Sequence, residues 1–122
     1  MHRLWIGVGS LAGLTGVAMA AAAAHGLPDR LDPAAIQMLR NAVQMQGWHA
    51  LALVACGVWA VRGAPALVNW AAGAFLLGLL LFCGAVYALA LGGVRLPAMA
   101  PIGGMLLMLG WALLGLAAIR AA

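Results

Sequence analysis

The chain has 122 residues, 67% of them hydrophobic, with a mean hydropathy of +1.12. Charged residues make up 7% of it, against about 25% in a soluble domain. That is too little polar surface to cover a water-soluble globule, so the solvent is read as lipid. The net charge of +4 does not point to nucleic acid. Arg3, Arg30, Arg40, Arg62, Arg95 and Arg120 are scattered singly, with no basic stripe. Each stands near the end of an apolar run, where arginine snorkels to headgroups.

Leu4 to Ala24 carries no charge and is long enough to cross about 30 Å of hydrocarbon. Its start has the look of a secretion signal, with Arg3, an apolar core and Ala18-Met19-Ala20 as a cleavage site. The length of the stretch favours a retained helix, the first span, over 4–25. Gly9, Gly13, Gly16 and Ala20 recur at i, i+4, i+7 and i+11, a flat stripe on which a second helix can pack.

Gly26, Pro28 and Pro33 then break the helix. Asp32 before Pro33 reads as an N-cap with proline at the first helical position. From there Gln37, Arg40, Asn41 and Gln44 share one face, and Met38, Ala42 and Met45 share another. Residues 33–41 read as an interfacial amphipathic segment running on into the second span. That span, ending near Arg62, is too short if it begins at Gly47 and must recruit residues from Ala42 onward, so it is placed at 42–62. This pulls Gln44, Gln46 and His49 below the headgroups.

Gly63 to Pro65 makes a turn. The third span, 68–91, carries a polar and small stripe of Asn69, Gly73, Leu80, Gly84 and Tyr87. Gly92, Gly93 and Pro97 end it. The fourth span, 102–119, is entered through Pro101-Ile102-Gly103-Gly104. The expected architecture is an all-α membrane protein: one integral membrane domain over 1–122, a bundle of four transmembrane helices with the interfacial segment between the first two. Glycines 73, 84, 103 and 104 join the first-span stripe as expected helix-packing positions. Arg3, Arg62 and Arg120 share one side of such a bundle and Arg30, Arg40 and Arg95 the other, so the positive-inside count is tied. The first helix, and Asp29 and Asp32 on the second side, favour cytoplasmic termini, with Trp5, Trp59 and Trp70 as an aromatic belt there.

Several stretches resemble a known family in order along nearly the whole chain: "AAHGL" after a glycine-rich first span, "AVQMQGWHALAL", "CGAVYALAL", "PIGG", and "GW" in the last span. Together they look like the small YgdD/YwdK-type bacterial membrane proteins, whose eukaryotic relatives are small transmembrane proteins. The resemblance implies a four-helix inner-membrane protein with a domain of unknown function. It implies no settled activity, substrate or cofactor. Cys83 and Ala85 stand where the family often has Ser and Leu, which argues against a role specific to Cys83.

Height along the bundle sorts the polar residues. Counting from the Arg3 side at about 1.5 Å per residue puts His25, Arg40, Asn41 and Tyr87 near ~30 Å, Gln46 and Cys83 near ~25 Å, His49 near ~20 Å and Cys56 near ~9 Å. The two cysteines are too far apart for a disulfide, which needs Cα atoms within about 7 Å. His25, Arg40, Asn41, Gln46, His49 and Tyr87 form the candidate polar or ligand site, on the side of the 25–41 segment. His49 in lipid must find a partner or stay neutral. One reading is a neutral imidazole bonded to a backbone carbonyl or hydroxyl, locking two helices. The others are a proton, ion or ligand role, or metal ligation. His25 reads as a loop tie to Asp29 or Asp32 or as a ligand group, and Tyr87 as an interface anchor.

Seven methionines suggest packing more than copper, since no MxxxM pattern or Met-rich tail accompanies them. No Asp or Glu lies in any span, so an exchanger relying on an embedded carboxylate is not expected. No catalytic constellation, zinc or haem signature or phosphate loop is present. The expected function is a non-enzymatic structural or accessory protein without cofactor or resident metal. Its partners would be the bilayer and a larger membrane complex or a second copy. The alternative is a small transporter or binding protein using His25, Gln46, His49 and Tyr87.

Overall fold

The computed structural model describes residues 2–121; Met1 and Ala122, the ends of the expected domain, lie outside the described residues. Four helices carry nearly the whole chain: α1 (His2–His25), α2 (Pro33–Val61), α3 (Leu67–Gly92) and α4 (Met99–Ala121). A single 3-10 turn, Leu27–Asp29, sits between α1 and α2. There is no strand among the described residues.

The helix ends follow local chemistry. Asp32 caps α2, its Oδ1 accepting from the Ala35 N–H at 2.8 Å, and Pro33 occupies a position whose N–H would be unpaired anyway. The α2–α3 turn passes through Gly63 at φ +84°. Gly93, at φ +67°, closes α3, its N–H bonding back to Leu89 O and that of Val94 to Ala88 O. Pro101 falls inside the first turn of α4 and not before it, where a missing N–H costs nothing.

Helices α1, α3 and α4 are each long and apolar enough to cross a membrane. Helix α2 is the longest at 29 residues but carries four of the chain's five amide side chains, Gln37, Asn41, Gln44 and Gln46, in its first half. Residues 33–41 run on into the rest of α2 as one continuous helix. No Gly or Pro falls between Pro33 and Gly47, so nothing interrupts the helix. Ala35, Ile36 and Leu39 pack with Ala23 of α1 and Ala90 of α3. Gln37, Arg40, Asn41 and Gln44 stay exposed, as their shared face requires.

Packing runs in chain order, α1 on α2, α2 on α3 and α3 on α4. Glycines set two of these interfaces. A Cβ on Gly9 would stand 2.8 Å from Ala50 O, and one on Gly57 2.8 Å from His2 O, so α1 and α2 touch backbone to backbone. A Cβ on Gly103 would stand 2.5 Å from Phe82 N, and one on Gly78 2.8 Å from Gly103 O, so α3 and α4 do the same. Gly110 makes room for the Phe75 ring. Gly13 and Gly16 sit at ordinary contact distance from α2, and Ala20 is half-buried. Gly73, Gly84 and Gly104 differ from expectation: a Cβ on any of them would meet nothing within 4 Å, and Gly73 and Gly84 border open grooves rather than a close helix contact. Gly57, Gly78 and Gly110 fill the roles expected of them.

Trp5 is also not where a belt residue would be. It is 5% exposed, and its indole N–H donates to Asn69 Oδ1 at 2.9 Å, joining the start of α1 to the start of α3. Trp70, 72% exposed, remains on the surface.

Candidate functional site: two polar nodes on α2

Among the described residues, the buried polar side chains are Gln46 and His49. They stand less than one turn apart on α2 and bond to different neighbours.

Gln46 joins three helices. Its Nε2 donates to Ala12 O and to Thr15 Oγ1 of α1, both at 2.8 Å. Its Oε1 accepts from the Tyr87 hydroxyl of α3 at 2.6 Å. Thr15 passes its own proton to the Leu11 and Ala12 carbonyls. A Cβ on Gly16 would stand 3.5 Å from Gln46 Nε2, so the glycine lets the amide lie against α1. Both amide protons and the carbonyl oxygen are therefore used. Beside this node the Cys83 thiol points at Ala42 O, 3.5 Å away.

His49 joins α2 to α4. Its Nδ1 lies 2.6 Å from Met45 O, an atom that only accepts. Its Nε2 lies 3.0 Å from Trp111 Nε1, an atom that only donates. One arrangement satisfies both: a neutral imidazole with the proton on Nδ1. Phe75 of α3 completes an aromatic cluster, its ring centroid 5.6 Å from His49 and 5.0 Å from Trp111, both tilted toward edge-on. A second proton on His49 would have to displace the Trp111 N–H.

The six residues grouped by sequence separate here. Gln46 and Tyr87 bond to one another, and His49 is close by but turned to a different helix. His25 and Arg40 are exposed and outside both nodes. His25 ends α1, and Asp32 Oδ1 accepts from the Ala35 N–H at the α2 cap. Asn41 is exposed and accepts from Gln37 one turn away at 3.1 Å. Sequence reasoning missed Thr15, Phe75 and Trp111. Thr15 carries a usable signal, as a hydroxyl in an otherwise apolar and small-residue span.

Every buried side-chain nitrogen or oxygen among the described residues has a hydrogen-bond partner. Cys56 and Cys83 are buried free thiols. No group of three metal-ligating side chains gathers among the described residues. A groove of about 370 Å³ runs between α1 and α3, with Thr15, Gln46, Cys83 and Tyr87 along it and Leu11, Leu76, Leu79 and Leu80 in its apolar wall.

Comparison with known proteins agrees with an apolar helical chain. The profile of a family described as "Protein of unknown function (DUF423)" matches residues 19–104. A UPF0382 membrane protein of Staphylococcus haemolyticus is 38% identical over 92% of both chains. One from Staphylococcus epidermidis is 35% identical over 97% of both. The UPF0382 inner membrane protein YgdD of Escherichia coli is 32% identical over 91% of this chain and 86% of its own. None of these names states an enzymatic activity. No solved structure gives a significant match. On the profile match and these full-length relatives together, the chain belongs to the DUF423, or UPF0382, family of membrane proteins.

Proposed function

We propose that this protein is a non-enzymatic structural or accessory component of the bacterial inner membrane, a single integral domain that assembles with a second copy or within a larger membrane complex. In this reading α2 is the fourth span. It lies between α1 and α3, and its polar first half is sheltered wherever it is deepest. The termini face the cytoplasm, with Arg3, Arg62 and Arg120 at that surface. The location follows the name of the Escherichia coli relative, an inner membrane protein.

One observation carries the reading. The two buried polar side chains, the natural places to look for chemistry in a membrane protein, are consumed in holding helices together. Gln46 has no donor left to offer, and His49 is locked in one tautomer between Met45 and Trp111. Polar groups used this way in lipid act as glue between helices. Gly73 and Gly84, three turns apart on one face of α3 with open space above them, leave small-residue surface for a further helix.

The test is purification of the tagged protein from native membranes in mild detergent, followed by native mass determination. The expected result is a defined mass above that of the 12.4 kDa chain. A lone monomer across mild detergents overturns the proposal. The groove at Thr15, Gln46 and Tyr87 favours a second reading, a binding protein for a small apolar molecule with one polar end. In that case Tyr87→Phe would abolish ligand retention while assembly stayed intact.

A further inference from the structure

A second groove, unrelated to either polar node, opens at the end of the bundle where α1 meets α2. It holds about 310 Å³ and lies between α2, α3 and the start of α4. Its walls are apolar, with Met38 from α2 and Phe82, Val86 and Leu89 from α3. Its mouth is not: Asn41 and Arg95 stand there. Arg95 also borders an adjoining depression shared with Arg30 and Asp32. Both arginines therefore line this depression, which meets the groove at Met38, Leu89 and Arg95. Asp32, which also lines the depression, already has one carboxylate oxygen engaged at the α2 cap. Asn41 spends its oxygen on Gln37, which leaves its amide N–H groups to donate. Helix α4 starts at Met99, so the positive end of its dipole lies at the same rim.

An apolar slot between helices, closed at the headgroup level by cations and donors, fits one kind of occupant. We infer that this groove is a binding site for an anionic phospholipid, with the phosphate held by Arg95 and Arg30 and one acyl chain lying along Met38, Phe82, Val86 and Leu89. Arginine suits the phosphate because its planar fork can donate two bonds at once. The site does not rest on the assembly proposed above, because it is complete within one chain.

The experiment uses the full-length protein in detergent, titrated with phosphatidylglycerol or phosphatidylcholine and read by native mass spectrometry. Wild type is expected to retain one phosphatidylglycerol in preference to phosphatidylcholine. Arg95→Gln should weaken that binding about tenfold, the effect of losing one charge-assisted bond. Arg40→Gln removes the same charge from the same end of the molecule but outside the groove, and should bind like wild type. Ala100→Leu narrows the groove without touching charge and should also weaken binding. Glycerol phosphate, which has a headgroup and no chain, should not compete. Lack of a headgroup preference in wild type overturns the proposal. So does equal loss in Arg40→Gln and Arg95→Gln, which would reduce the effect to bulk attraction. Displacement by glycerol phosphate overturns it as well, since the acyl groove would then contribute nothing.

Discussion

The α3–α4 interface and the Gln46 node hold the same bundle together by opposite means. At the first, Gly78 and Gly103 bring two backbones into contact and no polar side chain takes part. At the second, one amide supplies three side-chain bonds to two neighbouring helices. In lipid there is no hydrophobic drive to press helices together, so association depends on close packing and on interhelical hydrogen bonds. This molecule uses the two devices in different places. Contact between backbones is unforgiving, because neither wall can move aside. The hydrogen bonds are individually small and shared among several partners, so losing one leaves the others in place.

The sharpest way to break that contrast is Gly103→Leu. Its Cβ alone would stand 2.5 Å from Phe82 N and 2.7 Å from Gly78 O, and both atoms are backbone. Overpacking a core normally costs about 1–3 kcal/mol; with no side chain able to yield, this change should reach or exceed the upper end. The expected result is loss of the folded state at a markedly lower denaturant concentration, read by near-UV circular dichroism in detergent micelles. Wild-type stability in this variant would mean that α3 and α4 are not in backbone contact.

Gln46→Leu should cost less. Interhelical hydrogen bonds in membranes average about 0.6 kcal/mol with a maximum near 1.7, so three of them amount to roughly 2 kcal/mol. The apolar replacement leaves Tyr87 O–H without its acceptor, and Tyr87→Phe in the same background should recover part of the loss. A double-mutant cycle between the two positions measures this coupling directly. Additive effects would show that the 2.6 Å bond contributes nothing.

The His49 node is weaker still. Trp111→Phe keeps an aromatic ring against Phe75 and removes one donor, for an expected cost of about 0.6–1.7 kcal/mol. Nitrogen NMR of the imidazole checks the arrangement without relying on stability. Wild type should show the proton on Nδ1, opposite the Met45 carbonyl, and Trp111→Phe should loosen that preference. A proton on Nε2 in wild type would contradict the bond to Trp111.

The sequence was most legible where local chemistry decides. Asp32-Pro33, Gly63 and Gly93 each mark a helix end by capping or by backbone freedom, and all three do so in the structure. What stayed hidden were the partners. A helix that is apolar on every side gives no periodic signal for which side meets protein and which meets lipid, so Gly57, Gly78 and Gly110 looked no different from Gly73, Gly84 and Gly104. Trp5 was hidden for the same reason. An indole near a helix end suits the headgroup region, and only the position of Asn69, 64 residues away, draws it inward. His25, Arg40 and Asn41 were grouped with Gln46 by height alone, and height says nothing about which way a side chain points.

The smallest expected effect tests the other half of the comparison, the glycines that touch nothing. Gly73→Ala and Gly84→Ala add a methyl group where a Cβ meets no atom within 4 Å. Within one chain these changes have nothing to clash with. Replacing glycine by alanine inside a helix gains up to about 1 kcal/mol of propensity, so the isolated monomer should be as stable as wild type or slightly more so. If these faces of α3 receive a second helix, whether from another copy or another subunit, the same methyl groups fall between two backbones and should shift the native mass toward the monomer. A variant with raised monomer stability and lost assembly would place the interface on α3. A variant that gains stability and assembles normally would send the search for that interface to the remaining exposed faces of α1 and α4.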